Sequence, residues 1–121
     1  MKLELISFKL CPFAQRAIIL LNAQKIDFEI TYINPMDPPD WFKAISPTGQ
    51  VPLLKADDQI IFESSVITEF INDISATNIH PENVVQKANN RSWIAFSSSM
   101  FDDMFGMVVG DEEKFNASKS Q

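Results

Sequence analysis

Cysteine occurs once among the 121 residues, histidine once and tyrosine once, and there are three glycines. A single thiol excludes an internal disulfide and any resolving dithiol pair. One cysteine and one histidine are too few soft ligands for a zinc tetrad, so no metal is expected. No apolar run reaches the roughly 18 residues of a membrane span. The opening Met1-Lys2-Leu3-Glu4-Leu5 alternates where a signal peptide would carry a longer apolar stretch, so a cytoplasmic protein without membrane attachment is expected. Positive charge is also short, with ten Lys and Arg against sixteen Asp and Glu and a net charge of −6. Such a surface repels phosphate backbones, which excludes nucleic acid as a partner class. What remains is ordinary for a globular chain, 45% apolar and 21% charged. The length suits one compact domain and one or two further helices.

Hydrophobic periodicity divides the chain. Leu3 to Phe8 reads as a strand. Cys11-Pro12 follows, and proline suits a first helical position because its missing N–H would be unpaired there. Pro12 to about Gln24 is helical, with Phe13, Ala17, Leu20 and Leu21 on one face and Ile18 and Ile19 widening it. Phe28 to Ile33 alternates again, with Phe28, Ile30 and Tyr32 on one side, and Tyr32 reads as core. Strand, helix and strand make a βαβ unit, which predicts parallel pairing and a right-handed crossover. Asn34 to Asp40 holds three prolines and two aspartates and reads as a loop. Trp41 to Ile45 is a short helix ended by Ser46-Pro47. Val51 to Leu54 and Gln59 to Phe62 form a hairpin around Asp57-Asp58. Ser64 to Ile74 is an amphipathic helix with Val66, Ile67, Phe70, Ile71 and Ile74 on one face.

The expected architecture is α/β, a β-α-β-α-β-β-α domain with a mixed four-stranded sheet over residues 1–75. Residues 76–81 read as a linker ending in Pro81. A long helix follows from Glu82 to about Val109, with Val85, Ala88, Trp93, Phe96, Met100, Met104 and Met107 recurring at threes, fours and fives. Gly110 is its expected C-cap, and Asp111 to Gln121 reads as the start of another helix.

Three places carry chemistry. Cys11 stands at a helix N-terminus, where backbone N–H groups and the helix dipole favour a thiolate. Lys9 adds positive potential. With no second cysteine, a disulfide formed at Cys11 must be released by an outside thiol; the bland alternative is a buried, inert cysteine. Val51-Pro52 reads by pattern as a strand edge, and cis X-Pro bonds are only about 5–6% of the total. A cis bond would leave the Val51 N–H and C=O to pair with an extended peptide, as a further strand would. Glu63-Ser64-Ser65 opens the third helix. Serine hydroxyls and free N–H groups there suit a carboxylate and Glu63 suits an ammonium, together an α-amino acid end; plain N-capping is the alternative.

In this order and spacing, Cys11-Pro12-Phe13-Ala14-Gln15-Arg16, Trp41-Phe42, Ser46-Pro47-Thr48-Gly49-Gln50-Val51-Pro52 and Glu63-Ser64 resemble the glutathione transferases over residues 1 to about 110. Within that superfamily they are most similar to the omega class and its cysteine-type relatives. The resemblance implies a thioredoxin-like, glutathione-binding domain followed by an incomplete all-helical one. It implies that Cys11 forms a mixed disulfide with glutathione, that Val51 pairs with its cysteinyl part beside a cis Pro52, and that Glu63 and Ser64 hold the γ-glutamyl end. Phe13 would line the site beside the sulfur. Thiol transferase and dehydroascorbate reductase chemistry on a small disulfide or electrophile is implied, with glutathione as co-substrate and a homodimer as the assembly. Omega-like chains often carry a lysine just before the Trp41 region for the glycine carboxylate; Pro38-Pro39-Asp40 stands there in this chain, with Lys43 as a substitute candidate.

Several residues are not promoted. His80 reads as a solvated or capping residue of the linker, and Asp102 and Asp103 as a solvated helix face. Ser7 ends strand one near where other classes keep a catalytic hydroxyl, and Cys11 displaces it. The competing function is a non-catalytic interaction module on the same scaffold. The long helix after Pro81 argues against a monothiol glutaredoxin.

Overall fold

The computed structural model describes residues 1–109. The expected Gly110 cap and the helix from Asp111 to Gln121 lie outside the described residues. Four strands and four helices alternate as β1 (Leu3–Ser7), α1 (Pro12–Ala23), β2 (Glu29–Tyr32), α2 (Asp40–Ile45), β3 (Leu53–Ala56), β4 (Gln59–Phe62), α3 (Ser64–Ile74) and α4 (Val84–Val109). The sheet order is β2-β1-β3-β4. β1 pairs parallel with β2 and antiparallel with β3, and β3 pairs antiparallel with β4. The sheet is therefore mixed and the domain is thioredoxin-like, as the pattern predicts.

The period-2 alternation of β1 sends its side chains to two separate cores. Leu3 and Leu5, with Leu54 and Ala56 opposite them, pack under Ala14, Ala17 and Leu21 of α1 and Ile67 and Ile71 of α3. Ile6, with Leu53 opposite it, packs on the other face against Phe42 of α2. Each fully buried Leu or Ile contributes roughly 1.5–3 kcal/mol of apolar transfer. Glu4 shares a strand face with Ile6. It accepts a 2.6 Å hydrogen bond from the Thr31 hydroxyl and lies 3.8 Å from Lys55 Nζ on the neighbouring strands. That polar trio pins the register of three strands.

Three expectations shift. Strand β3 begins at Leu53 instead of Val51, because Val51-Pro52 stands outside the ladder. Tyr32 is 47% exposed instead of core, because β2 is an edge strand and Tyr32 is its last residue. His80 is buried rather than solvated.

The end of α1 shows how the chain turns back to β2. The Ile26 N–H donates to the Leu21 carbonyl (3.0 Å) and the Lys25 N–H to that of Asn22 (3.1 Å). This is a Schellman closure with Lys25 in the left-handed position, φ 57°, that glycine usually takes.

The described residues divide into two compact units, residues 1–79 and from His80 onward. The second is represented by α4, on which Trp93 and Phe96 meet edge to face with ring centroids 5.8 Å apart. Among the described residues no helix is long and apolar enough to cross a membrane.

Candidate functional site

Strand directions gather the expected site at one end of the sheet. β1, β2 and β4 run parallel to one another and β3 runs against them. The C-terminal ends of β1, β2 and β4 and the N-terminal end of β3 therefore share one rim. Along that rim, from one edge to the other, come Glu63-Ser64 after β4, Val51-Pro52 before β3, Cys11 after β1, and Tyr32 closing β2.

A tight turn sets Cys11 at its place. Its N–H donates to the Phe8 carbonyl at 3.2 Å, leaving Lys9 and Leu10 as the exposed central residues. Cys11 is the N-cap of α1, with Pro12 at the first helical position. Its carbonyl accepts the Gln15 N–H at 3.2 Å. The residue is a free cysteine, only 1% exposed, in the core under α1 and α3. Ser7 is buried too, and its hydroxyl donates to the Phe8 carbonyl at 3.2 Å.

The Val51-Pro52 bond is cis. Two features lead the chain into it. Gly49 has φ 71°, a left-handed value that glycine adopts freely, and its N–H donates to Ser46 Oγ at 2.8 Å. Val51 then packs against the cores on both faces of the sheet, and Pro52 is buried. The loop is thus fixed by burial on its C-terminal side and by turn chemistry on its N-terminal side.

Glu63 is the N-cap of α3 with φ 72° and ψ 120°. A non-glycine residue there costs on the order of 1–3 kcal/mol and persists only where its surroundings hold it. Its carbonyl accepts the Ile67 N–H at 2.9 Å, and its side chain makes no capping bond. Glu63 is exposed and Ser64 half-buried. First-turn N–H groups have no partner within a helix, so the rim presents donors at this end.

Arg16 is the residue that sequence reasoning left out of the site. Its Nη2 donates to Ser64 Oγ at 2.9 Å, across 48 residues of sequence, and its guanidinium lies 5.7 Å from the centroid of the Phe13 ring. Burial pushes its pKa below the ordinary value. Because Ser64 Oγ accepts from Arg16, the hydroxyl proton is left to donate elsewhere. Arg16 stands in the motif string and five residues past Cys11, but only tertiary packing brings it to Ser64. Phe13 is partly buried against the same core.

Lys43, the substitute candidate, is exposed on α2 with its Nζ 4.0 Å from Asp40 one helical turn away. Among the described residues no group of three or more His, Cys, Asp or Glu is placed to hold a metal ion.

Residues 10–74 match the family model of the glutathione S-transferase N-terminal domain. The chain belongs to the glutathione S-transferases. Among its relatives are transferases of the omega class. Glutathione S-transferase omega-1 of Sus scrofa is 32% identical over 96 residues, covering 78% of this chain and 40% of that protein. Probable glutathione transferase omega-2 of Caenorhabditis elegans is 39% identical over 110 residues, covering 88% of this chain and 43% of that protein. This chain therefore spans less than half the length of those two transferases. A glutathione S-transferase structure from Methylobacillus flagellatus with glutathione bound has the same fold, with a TM-score of 0.84 at 19% identity, covering 98% of this chain and 64% of that one.

Proposed function

We propose that this glutathione S-transferase domain binds glutathione along the rim and carries thiol transferase chemistry through a mixed disulfide at Cys11. The carrying observation is the convergence, on one sheet end, of the sole thiol at a helix N-cap, a cis-proline turn, and a strained Glu63 beside an Arg16-supported Ser64. In this reading the α3 N-terminus and Ser64 take the γ-glutamyl carboxylate, Glu63 takes its ammonium, and the Val51 backbone pairs with the cysteinyl peptide. Phe13 borders the sulfur.

The Cys11 thiolate attacks the glutathione sulfur of a mixed disulfide, and the substrate leaves as a thiolate that takes up a proton. A second glutathione thiolate then attacks the glutathione sulfur bound to Cys11. Cys11 is regenerated and glutathione disulfide departs. The outside thiol is required because the chain has no other cysteine. Dehydroascorbate is a further acceptor by omega-like analogy. The reading of residues 82–121 as the beginning of an all-helical domain, and of the assembly as a homodimer, belongs to the same proposal.

One observation favours a second reading. Cys11 is nearly inaccessible, as an inert core cysteine would be in a non-catalytic interaction module. Activity and binding measured on Cys11→Ala separate the two. The enzyme reading expects reduction of a small glutathionylated disulfide to disappear while glutathione still raises the melting temperature. Full activity in the variant removes Cys11 from the mechanism. Failure of millimolar glutathione to stabilise the unsubstituted chain favours the interaction module.

A further inference from the structure

Glutathione carries two carboxylates, and the site above supplies groups for only the one on its γ-glutamyl end. Accepting that reading, the rim geometry indicates where the other falls. At about 4.8 Å per strand, the rim from β4 to β2 spans about 14 Å. An extended three-residue peptide reaches about 10–11 Å. A peptide anchored at Ser64 and paired with Val51 therefore brings its C-terminal end to the β1–β2 side.

Cations on that side are few. Residues 8–11 and 33–52 contain two, Lys9 and Lys43. Lys43 is within ion-pair distance of Asp40, and with Asp37 also present the segment 33–52 is net negative. Lys55, on β3, bridges to Glu4. Lys9 is different. It is exposed at the centre of the turn before Cys11, and its Nζ lies 5.8 Å from the centroid of the Tyr32 ring. Among the described residues no ion pair engages it. A ring face holds an exposed ammonium weakly and leaves its charge and N–H donors able to turn to a carboxylate.

We propose that Lys9, resting on Tyr32, receives the C-terminal carboxylate of glutathione. The rim then mirrors the charges of the ligand: Ser64 with Arg16 behind it for one carboxylate, Glu63 for the ammonium, Lys9 for the other carboxylate.

The test compares dissociation constants of glutathione and its C-terminal amide, by titration calorimetry, for the unsubstituted chain and for Lys9→Ala, Lys9→Arg and Lys43→Ala. Lys9 is exposed on a turn, so its variants keep the core. The unsubstituted chain is expected to favour glutathione over the amide by about fivefold, the scale of one exposed charge-assisted contact. Lys9→Ala should lose that preference by weakening glutathione alone, and Lys9→Arg should restore it. Equal binding of both ligands by the unsubstituted chain overturns the assignment, as does loss of the preference in Lys43→Ala instead. In either case glutathione binding itself stands. If the unsubstituted chain binds neither ligand, the glutathione reading falls and this assignment with it.

Discussion

Glu63 is the residue where fold and function pull hardest against each other. Its φ of 72° with ψ of 120° lies outside the regions open to residues with a Cβ, and a glycine there relieves part of that strain. A glycine there should therefore stabilise the ligand-free domain, by about 1 kcal/mol once the extra freedom of the unfolded chain is subtracted. The same change removes the carboxylate proposed to meet the ligand ammonium. Glu63→Gly is thus expected to raise the denaturant midpoint and to shrink the stabilisation that glutathione confers. A variant that is no more stable and binds as before would show that Glu63 is neither strained nor used. At this scale the sequence was legible where chemistry is local. Pro12 at the first helical position and Cys11 as N-cap follow from the dipeptide itself. The Arg16–Ser64 bond was not legible, since it joins positions 48 apart. Nor was the burial of Cys11, which depends on packing under two helices that periodicity alone does not bring together.

Among the elements, α2 is the shortest helix and the one whose place depends most on a single side chain. Phe42 is its only buried residue, packed in one core with Ile6 and Leu53. Neighbouring Trp41 meets it edge to face with ring centroids 6.2 Å apart. Truncation to alanine leaves a cavity where a ring filled the second core, and such losses run about 3–5 kcal/mol. Because α2 is followed directly by the turn into Val51-Pro52, Phe42→Ala is expected both to lower the denaturant midpoint by that amount and to weaken glutathione binding. A loss confined to stability, with affinity unchanged at temperatures where the variant is folded, would mean that α2 does not position the cis-proline turn. Helix α3 was the most legible element: of the face its 3.6 period marks, Ile67 and Ile71 are buried and Phe70 and Ile74 partly so, whereas Val66, at the edge of that face, is exposed. Strand β2 was read less well. Its alternation is real, but a period of two does not say which strand ends up at an edge, and Tyr32 is exposed for that reason.

For the whole molecule, the fold class could be read from the order of elements, because a βαβ unit followed by a hairpin and a helix leaves few right-handed arrangements. The second unit was less legible. Helix α4 presents Trp93, Phe96, Met100, Met104 and Met107 to solvent at spacings of three and four, a stripe of the kind that interacting surfaces carry. The proposed homodimer is read directly by sedimentation velocity. The reaction as a whole rests on one question, whether the thiol that the structure buries is nonetheless reached in the native state. Intact mass after exposure to glutathione disulfide, under native and under denaturing conditions, answers it. A catalytic Cys11 gains a single glutathione adduct in the native chain, removed by reductant and absent in Cys11→Ser. An adduct that forms only after denaturation would contradict that role and leave Cys11 a structural residue.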